Sequence, residues 1–192
     1  DSGKHLRGDT LKIVFDFLAS ATKSILIEQQ YIRSEHEEVE KLLNGIKTAR
    51  DKNPDLDVRI ILGKLFGGKE YAKERKNIAN LKKAFGLTLG ENIRYIDVRR
   101  FVHCHNKLIV VDGEAALVSS QNWSRTGIGT NREAGVLIRF PEIAHYYTDI
   151  FESDWSTASK TIPKPKKAET ITPEALAKGN FVEVRAADYQ EV

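Results

Sequence analysis

Within about thirty residues the chain sets out His105-Asn106-Lys107, then Asp112, Ser119-Ser120-Gln121-Asn122 and Asn131-Arg132-Glu133, separated by aliphatic runs. An imidazole, an ammonium, small polar donors and carboxylates are the groups needed to attack a phosphorus centre. A neutral imidazole is a competent nucleophile toward phosphorus. A carboxylate such as Glu133 on its second ring nitrogen fixes the tautomer and stabilises the charge that develops. Lys107 neutralises a nonbridging phosphate oxygen, while Ser120 and Asn122 donate hydrogen bonds to the others. Chemistry of this kind calls for no metal and no cofactor.

Spacing decides whether these side chains meet. Lys107 to Val111 is β-branched and aliphatic, Asp112-Gly113 is a two-residue turn signal, and Ala115 to Val118 resumes the apolar run, so a hairpin is expected. In an extended strand alternate side chains share a face. His103, His105 and Lys107 then point one way, and Val102, Cys104 and Asn106 the other. Ser119 to Asn122 falls where the chain leaves the sheet, with side-chain and backbone donors for an anion. Glu133 opens a further strand-like run, Ala134 to Ile138.

The pattern His105-x-Lys107-x4-Asp112-x6-Ser119-Ser120-x-Asn122 resembles the HxKx4Dx6GSxN signature of the phospholipase D superfamily, with Glu133 at the position of a family acidic residue. Ser119 stands where the signature usually has Gly. The resemblance runs from about Asp9 to Trp155. It implies a phosphodiesterase in which one histidine attacks and becomes a phosphohistidine, a second protonates the leaving alkoxide, and water or an alcohol completes the transfer. His105, Lys107, Asp112 and Glu133 are the implied catalytic residues, and Ser120 and Asn122 the implied phosphate ligands. For Asp112 an equal alternative is a turn former that bonds its own backbone; as a member of the family motif, its expected task is to hold the strand ends in place.

Such a mechanism needs two histidines on opposite sides of the phosphate, and the chain carries one motif. None of His5, His36, His103 and His145 has Lys two residues later. His103 would lie about 7 Å from His105 on the same strand face, hence on the same side of the substrate. The implied partner is therefore a second half, supplied either by an N-terminal part of a longer protein or by a second copy in a homodimer. The absence of Met and the start at Asp1 suggest an excised piece, and the opening into a helix favours the first source.

The elements that must position these groups alternate. Leu11, Val14, Phe15 and Leu18 recur at helical spacing behind Asp9-Thr10, which suits an N-cap. Ser24 to Glu28 is a strand, Val39, Leu42, Leu43 and Ile46 mark a helix ended by Asn53-Pro54, and Leu56 to Leu62 is a second strand. Gly63 to Gly68 is a loop, Tyr71 to Phe85 a charged helix, Asn92 to Val98 a strand, and Ile143 to Trp155 a closing helix. The alternation predicts an α/β domain over residues 1–156, a mixed sheet with helices on both faces and the phosphate site at one sheet edge. Residues 157–192 form a basic, Pro-containing extension, with a short helix after Thr172-Pro173 and a strand at Phe181 to Val184.

The 192 residues carry a net charge of +3, which by itself selects no partner. Arg94, Arg99, Arg100 and Lys107 cluster around the motif, either as a basic approach for any phosphodiester or as an exposed strand face. Cys104 is the single cysteine, so no internal disulfide forms; its alternation with His103 and His105 places it in the interior. No run approaches about 20 apolar residues. Three functions follow: hydrolysis or transfer of a phospholipid head group, metal-independent cleavage of DNA or RNA, and a non-catalytic scaffold. Trp123 and an exposed Leu65-Phe66 loop, as apolar surface beside a polar site, favour lipid.

Overall fold

The computed structural model describes residues 2–164 except 64, 66, 67 and 102. Six strands form one sheet: β1 (Ser24–Gln29), β2 (Asp57–Leu62), β3 (Ile93–Tyr95), β4 (Leu108–Val111), β5 (Ala115–Ser119) and β6 (Gly135–Ile138). Their order is β3-β2-β1-β4-β5-β6. The helices are α1 (Ser2–Ala19), α2 (Glu37–Lys52), α3 (Gly68–Phe85), α4 (Arg125–Gly129) and α5 (Pro141–Thr157). β1, β2 and β3 run parallel, linked through α2 and α3, whereas β4 lies antiparallel against β1 and the β4-β5-β6 meander follows. The expected mixed sheet is thus present, and no described helix is long and apolar enough to cross a membrane.

Strand alternation divides the interior in two. Ile25 and Ile27 of β1, Ile60 and Leu62 of β2, and Ile109 and Val111 of β4 join a core with Phe17 and Leu18 of α1 and Leu42 and Ile46 of α2. Leu26, Ile61, Leu108 and Val110 take the other face, where Ala144, Phe151 and Trp155 of α5 cover them. α2 places Val39, Leu42, Leu43, Ile46 and Ala49 along one buried stripe, with acidic residues in its first turn and basic ones in its last. Gly45 lets α1 approach: a Cβ there would lie 3.0 Å from the Phe15 carbonyl.

Several boundaries differ from the sequence expectation. α1 begins at Ser2, so Asp9-Thr10 sits inside the helix and not at its cap. β3 ends at Tyr95 because Asp97 folds the chain into a turn, accepting from the Arg99 backbone N–H at 3.0 Å and from its guanidinium at 2.9 Å. The domain continues past residue 156: Ser159 exchanges two backbone hydrogen bonds with Tyr95, and Ile162 packs on the core. The helix and strand expected near residues 172 and 181–184 fall outside the described residues. The hairpin beside which the phosphate site is expected lies mid-sheet, since β4 inserts between β1 and β5.

The hairpin turn is anchored from outside. Asp112 and Gly113 have φ of 57° and 68°, both left-handed, the geometry that matches the twist of a two-residue hairpin. The Asp112 carboxylate accepts from the backbone N–H groups of Thr22 (2.9 Å), Lys23 (2.7 Å) and Ser24 (2.9 Å) and from the Thr22 hydroxyl (2.9 Å). Partial burial works to raise its pKa; the backbone and hydroxyl donors outweigh this and hold it below the usual carboxylate value.

A depressed folded pKa contributes stability that is fully present above the unfolded value, near 4, and is lost as pH falls through the folded value. Asp112→Ala should therefore lower unfolding stability at neutral pH by about 3 kcal/mol, and Asp112→Asn by less. In denaturant titrations the gap between wild type and Asp112→Asn should narrow below about pH 4; a gap independent of pH would remove the carboxylate from this role.

Candidate active site

Four strand ends meet at the end of the sheet opposite Asp112. Pairing of Glu28 with Leu108, Leu108 with Val118 and Ser119 with Gly135 brings together the exit of β1, the entry of β4, the exit of β5 and the entry of β6. The Ser119 N–H donates to the Lys107 carbonyl at 3.0 Å, and the Ser120 N–H donates to the Ala134 carbonyl at 2.9 Å. His105, Lys107, Ser119, Ser120 and Glu133 therefore lie at one end of the sheet, and Asn122 follows two residues after Ser120. Asp112 does not join them: β4 sets it about 13 Å beyond Leu108. Its carboxylate is filled by the backbone and hydroxyl donors of Thr22, Lys23 and Ser24, an arrangement that suits a strand-holding role.

His105 and Lys107 line a cavity of about 300 Å³ with Asn106, Leu108, Ser119 and Tyr147. His105 is exposed, whereas Lys107 is buried and its Nζ donates to the His105 carbonyl at 2.8 Å. Burial pushes the Lys107 ammonium below its ordinary pKa, against the negative potential of Cys104 and Glu133. A desolvated ammonium beside an exposed imidazole can hold a phosphate oxygen while the ring approaches phosphorus. The segment from His103 to Lys107 is irregular and not extended strand, so strict alternation fails there. The two imidazole rings lie 5.6 Å apart, and Asn106 shares the cavity with His105 and Lys107.

Glu133 is oriented by groups other than His105. One carboxylate oxygen accepts a short hydrogen bond from the Ser120 hydroxyl, and the other accepts from the Asn131 amide at 3.0 Å. Among the described residues no hydrogen bond joins it to the His105 ring. Asn122 is set by the start of α4, where the Ser124 hydroxyl caps the Gly127 N–H at 3.1 Å, and its Oδ1 is buried with no partner among the described residues. Ser119, in the Gly position of the signature, fits because Gly135 stands opposite; a Cβ on Gly135 would meet the Ser119 Cβ at 3.2 Å. Ser119 in turn accepts from the Gln121 N–H at 2.9 Å.

Sequence reasoning passed over Glu28 and Gln29, both fully buried where β1 ends. Asn106 Nδ2 donates to one Glu28 oxygen at 2.5 Å, while the other and the Gln29 Oε1 have no partner among the described residues. Burial raises the Glu28 pKa, the Asn106 bond opposes this and the Asp154 charge adds to it. Two polar residues closing an apolar strand were the available signal. The arginine cluster is not a free basic approach. Arg94 donates to the Trp155 carbonyl, Arg99 pairs with Asp97, whose carboxyl it holds at about 2, and Arg100 donates to Thr157 Oγ1. Cys104 is buried as expected, its thiol pushed up to about 12. Leu65 and Trp123 are buried, so the apolar surface expected of them is absent; Phe66 lies outside the described residues.

A Cβ on Gly127 would fall 2.4 Å from the Asn122 carbonyl oxygen. Gly127→Ala should therefore cost about 2 kcal/mol of stability, read by thermal unfolding, and displace Asn122, read by amide chemical shifts. Shifts confined to residue 127 and its two neighbours would show that Asn122 is not held by this contact.

Residues 14–155 match the family described as cardiolipin synthase, PLD-like domain. A comparison with curated proteins found no match. Among solved structures the fold is similar to NucT from Helicobacter pylori, with TM-score 0.63 and 14% identity over 81% of this chain and 92% of that one. It is similar to the phospholipase D family member Nuc from Salmonella typhimurium, with TM-score 0.56 and 19% identity over 76% of this chain and 86% of that one. Phosphatidylserine synthase from Haemophilus influenzae Rd KW20 gives TM-score 0.66 and 14% identity over 83% of this chain and 38% of that one. At such identities these structures share the fold. The family match spans most of the sequence, from Val14 through His105 and Glu133 to Trp155, and the chain belongs to the PLD-like domain family of the phospholipase D superfamily.

Proposed function

We propose that the protein is a phosphodiesterase in which His105 attacks phosphorus. The observation that carries this reading is the placing of exposed His105 and buried Lys107 on one cavity at the converged strand ends. A P–N bond to the imidazole forms as the P–O bond to the leaving alcohol breaks. The departing alkoxide takes a proton from a second histidine, contributed by another copy of the chain or another half of a longer protein. Water or an alcohol then attacks phosphorus, and its proton passes back as the P–N bond breaks. Lys107 stabilises the nonbridging oxygens, Asn122 and Ser120 are their further donors, and Glu133 acts by holding Ser120.

A phospholipid head-group ester is the favoured substrate class. Its support is no longer Leu65 and Trp123 but Phe101 and Tyr146, which are 38% and 62% exposed and line the cavity adjoining the site. A nuclease is the second reading, favoured by similarity along 92% and 86% of two compact proteins, NucT and Nuc.

The test is turnover of a chromogenic phosphodiester, of phosphatidylethanolamine vesicles and of single-stranded DNA, each with chelator present. His105→Asn should lower the rate by at least about 10³-fold, and the specific rate should rise with protein concentration as two copies pool their histidines. Turnover that survives His105→Asn sinks the assignment. A His105-dependent rate on DNA alone selects the nuclease.

A further inference from the structure

A second, larger cavity adjoins the one that holds His105. It measures about 590 Å³, lies between α5 and the segment from Ile96 to Asn106, and shares Asn106 and Ile150 as a common wall with the first. Its character is opposite. Asp154 and Asp149 line it, with Arg100 as the single lining cation of fixed charge. Asp154 is 8% exposed and lines the cavity; among the described residues its carboxylate accepts no hydrogen bond and makes no ion pair, and burial raises its pKa against the more distant charge of Arg100.

A buried carboxylate without a partner calls for an explanation. Arg100 supplies only the field of its charge, which works against the desolvation of Asp154 without a bond, since its guanidinium donates to the Thr157 hydroxyl at 3.1 Å and lies over the Phe101 ring at 5.3 Å. Behind the shared wall Glu28 adds a second buried acid, with one oxygen without a partner among the described residues. At the rim Tyr146 offers an aromatic face, the surface that an ammonium or its methylene groups prefer.

We infer that this cavity binds an organic ammonium, its N–H groups donating to Asp154 beside Tyr146, and that with Lys107 and His105 next door the pair of cavities accommodates a zwitterionic amino-alcohol phosphate. The polarity runs from cationic to anionic across Asn106, as in such a head group. A polyanionic strand would meet Asp149 and Asp154 as like charges. The link to turnover rests on the proposed phosphodiesterase reading; the ammonium site itself does not.

The experiment is ligand titration of the intact chain, followed by amide chemical shifts and calorimetry, with ethanolamine, inorganic phosphate and phosphoethanolamine. Phosphoethanolamine should bind roughly tenfold more tightly than inorganic phosphate. Asp154→Asn should remove that gain and leave inorganic phosphate binding unchanged. Should Asp154→Asn fail to fold, Asp149→Asn and Tyr146→Ala at the exposed rim should each weaken ethanolamine severalfold. Equal affinity for the two phosphates, or a gain that survives Asp154→Asn or both rim variants, overturns the inference. Ethanolamine shifts around Asp154 in a protein that turns over no phosphodiester would uphold the ammonium site and sink the catalytic reading alone. Asp154-dependent binding to phosphatidylethanolamine over phosphatidylglycerol vesicles would identify the source as lipid; binding of soluble phosphoethanolamine without that preference would identify a free phosphoamino alcohol.

Discussion

Everything at the reactive rim depends on where β4 sits, and Asp112 fixes that. Four donors from Thr22, Lys23 and Ser24 converge on its carboxylate, tying the hairpin turn to the start of β1. Charge-assisted bonds of this kind are about twice as strong as neutral ones, and three of the donors are backbone groups that have no freedom to turn away. The tie sets Ile25 against Val111 and hence Glu28 against Leu108. A slip of one residue would exchange the two faces of β4 and move Lys107 relative to the cavity. An acid at one end of the sheet thus determines the geometry of the groups at the other.

The sheet is buried on both faces, which makes its reactive end a place where polar atoms are forced into low dielectric. Ile27 and Leu26 occupy the two cores, and the next residues along β1, Glu28 and Gln29, are polar yet just as buried. Glu28, Gln29 and Asn122 each keep one side-chain oxygen without a partner among the described residues. Leaving such atoms unpaired costs about 1–3 kcal/mol each. They are tolerable because Asp112, the Ser124 cap and the two cores over-determine the surrounding backbone. Stability is concentrated in the cores and at the far end of the sheet, and unsatisfied polarity where chemistry is expected.

Periodic features were the legible ones. The α2 stripe from Val39 to Ala49 and the apolar strands could be read directly, because burial on a repeating element imposes a repeating pattern. The hairpin was legible for a different reason: Asp112-Gly113 supplies the left-handed pair that its turn requires. What could not be read were contacts between distant segments. Asp112 meets Thr22 some ninety residues away in sequence, so its dual reading as turn former or catalyst was decided only by the fold. The sheet position of the hairpin, the irregular path from His103 to Lys107 and the burial of Trp123 share that origin. The placing of His105 and Lys107 on one cavity is less sensitive to such contacts, because two residues of separation keep them close whatever the path between them.

The contrast between exposed His105 and buried Lys107 suits the different tasks that the proposed reaction gives them. A nucleophile must reach the substrate and meet a second histidine across it, which an exposed ring at the cavity lip allows. A charge stabiliser acts through its field, and a field is stronger when water is excluded. Burial of Lys107 therefore increases its effect on a phosphate oxygen, and its bond to the His105 carbonyl orients the ammonium in advance. The cost is a weaker hold on its proton, which Glu133 offsets from across β5. Glu133 is itself kept by Ser120 and Asn131, so the carboxylate serves Lys107 electrostatically and Ser120 sterically without pairing to the nucleophile. That leaves the exposed His105 ring unpaired to Glu133, as the proposed approach of a second motif requires.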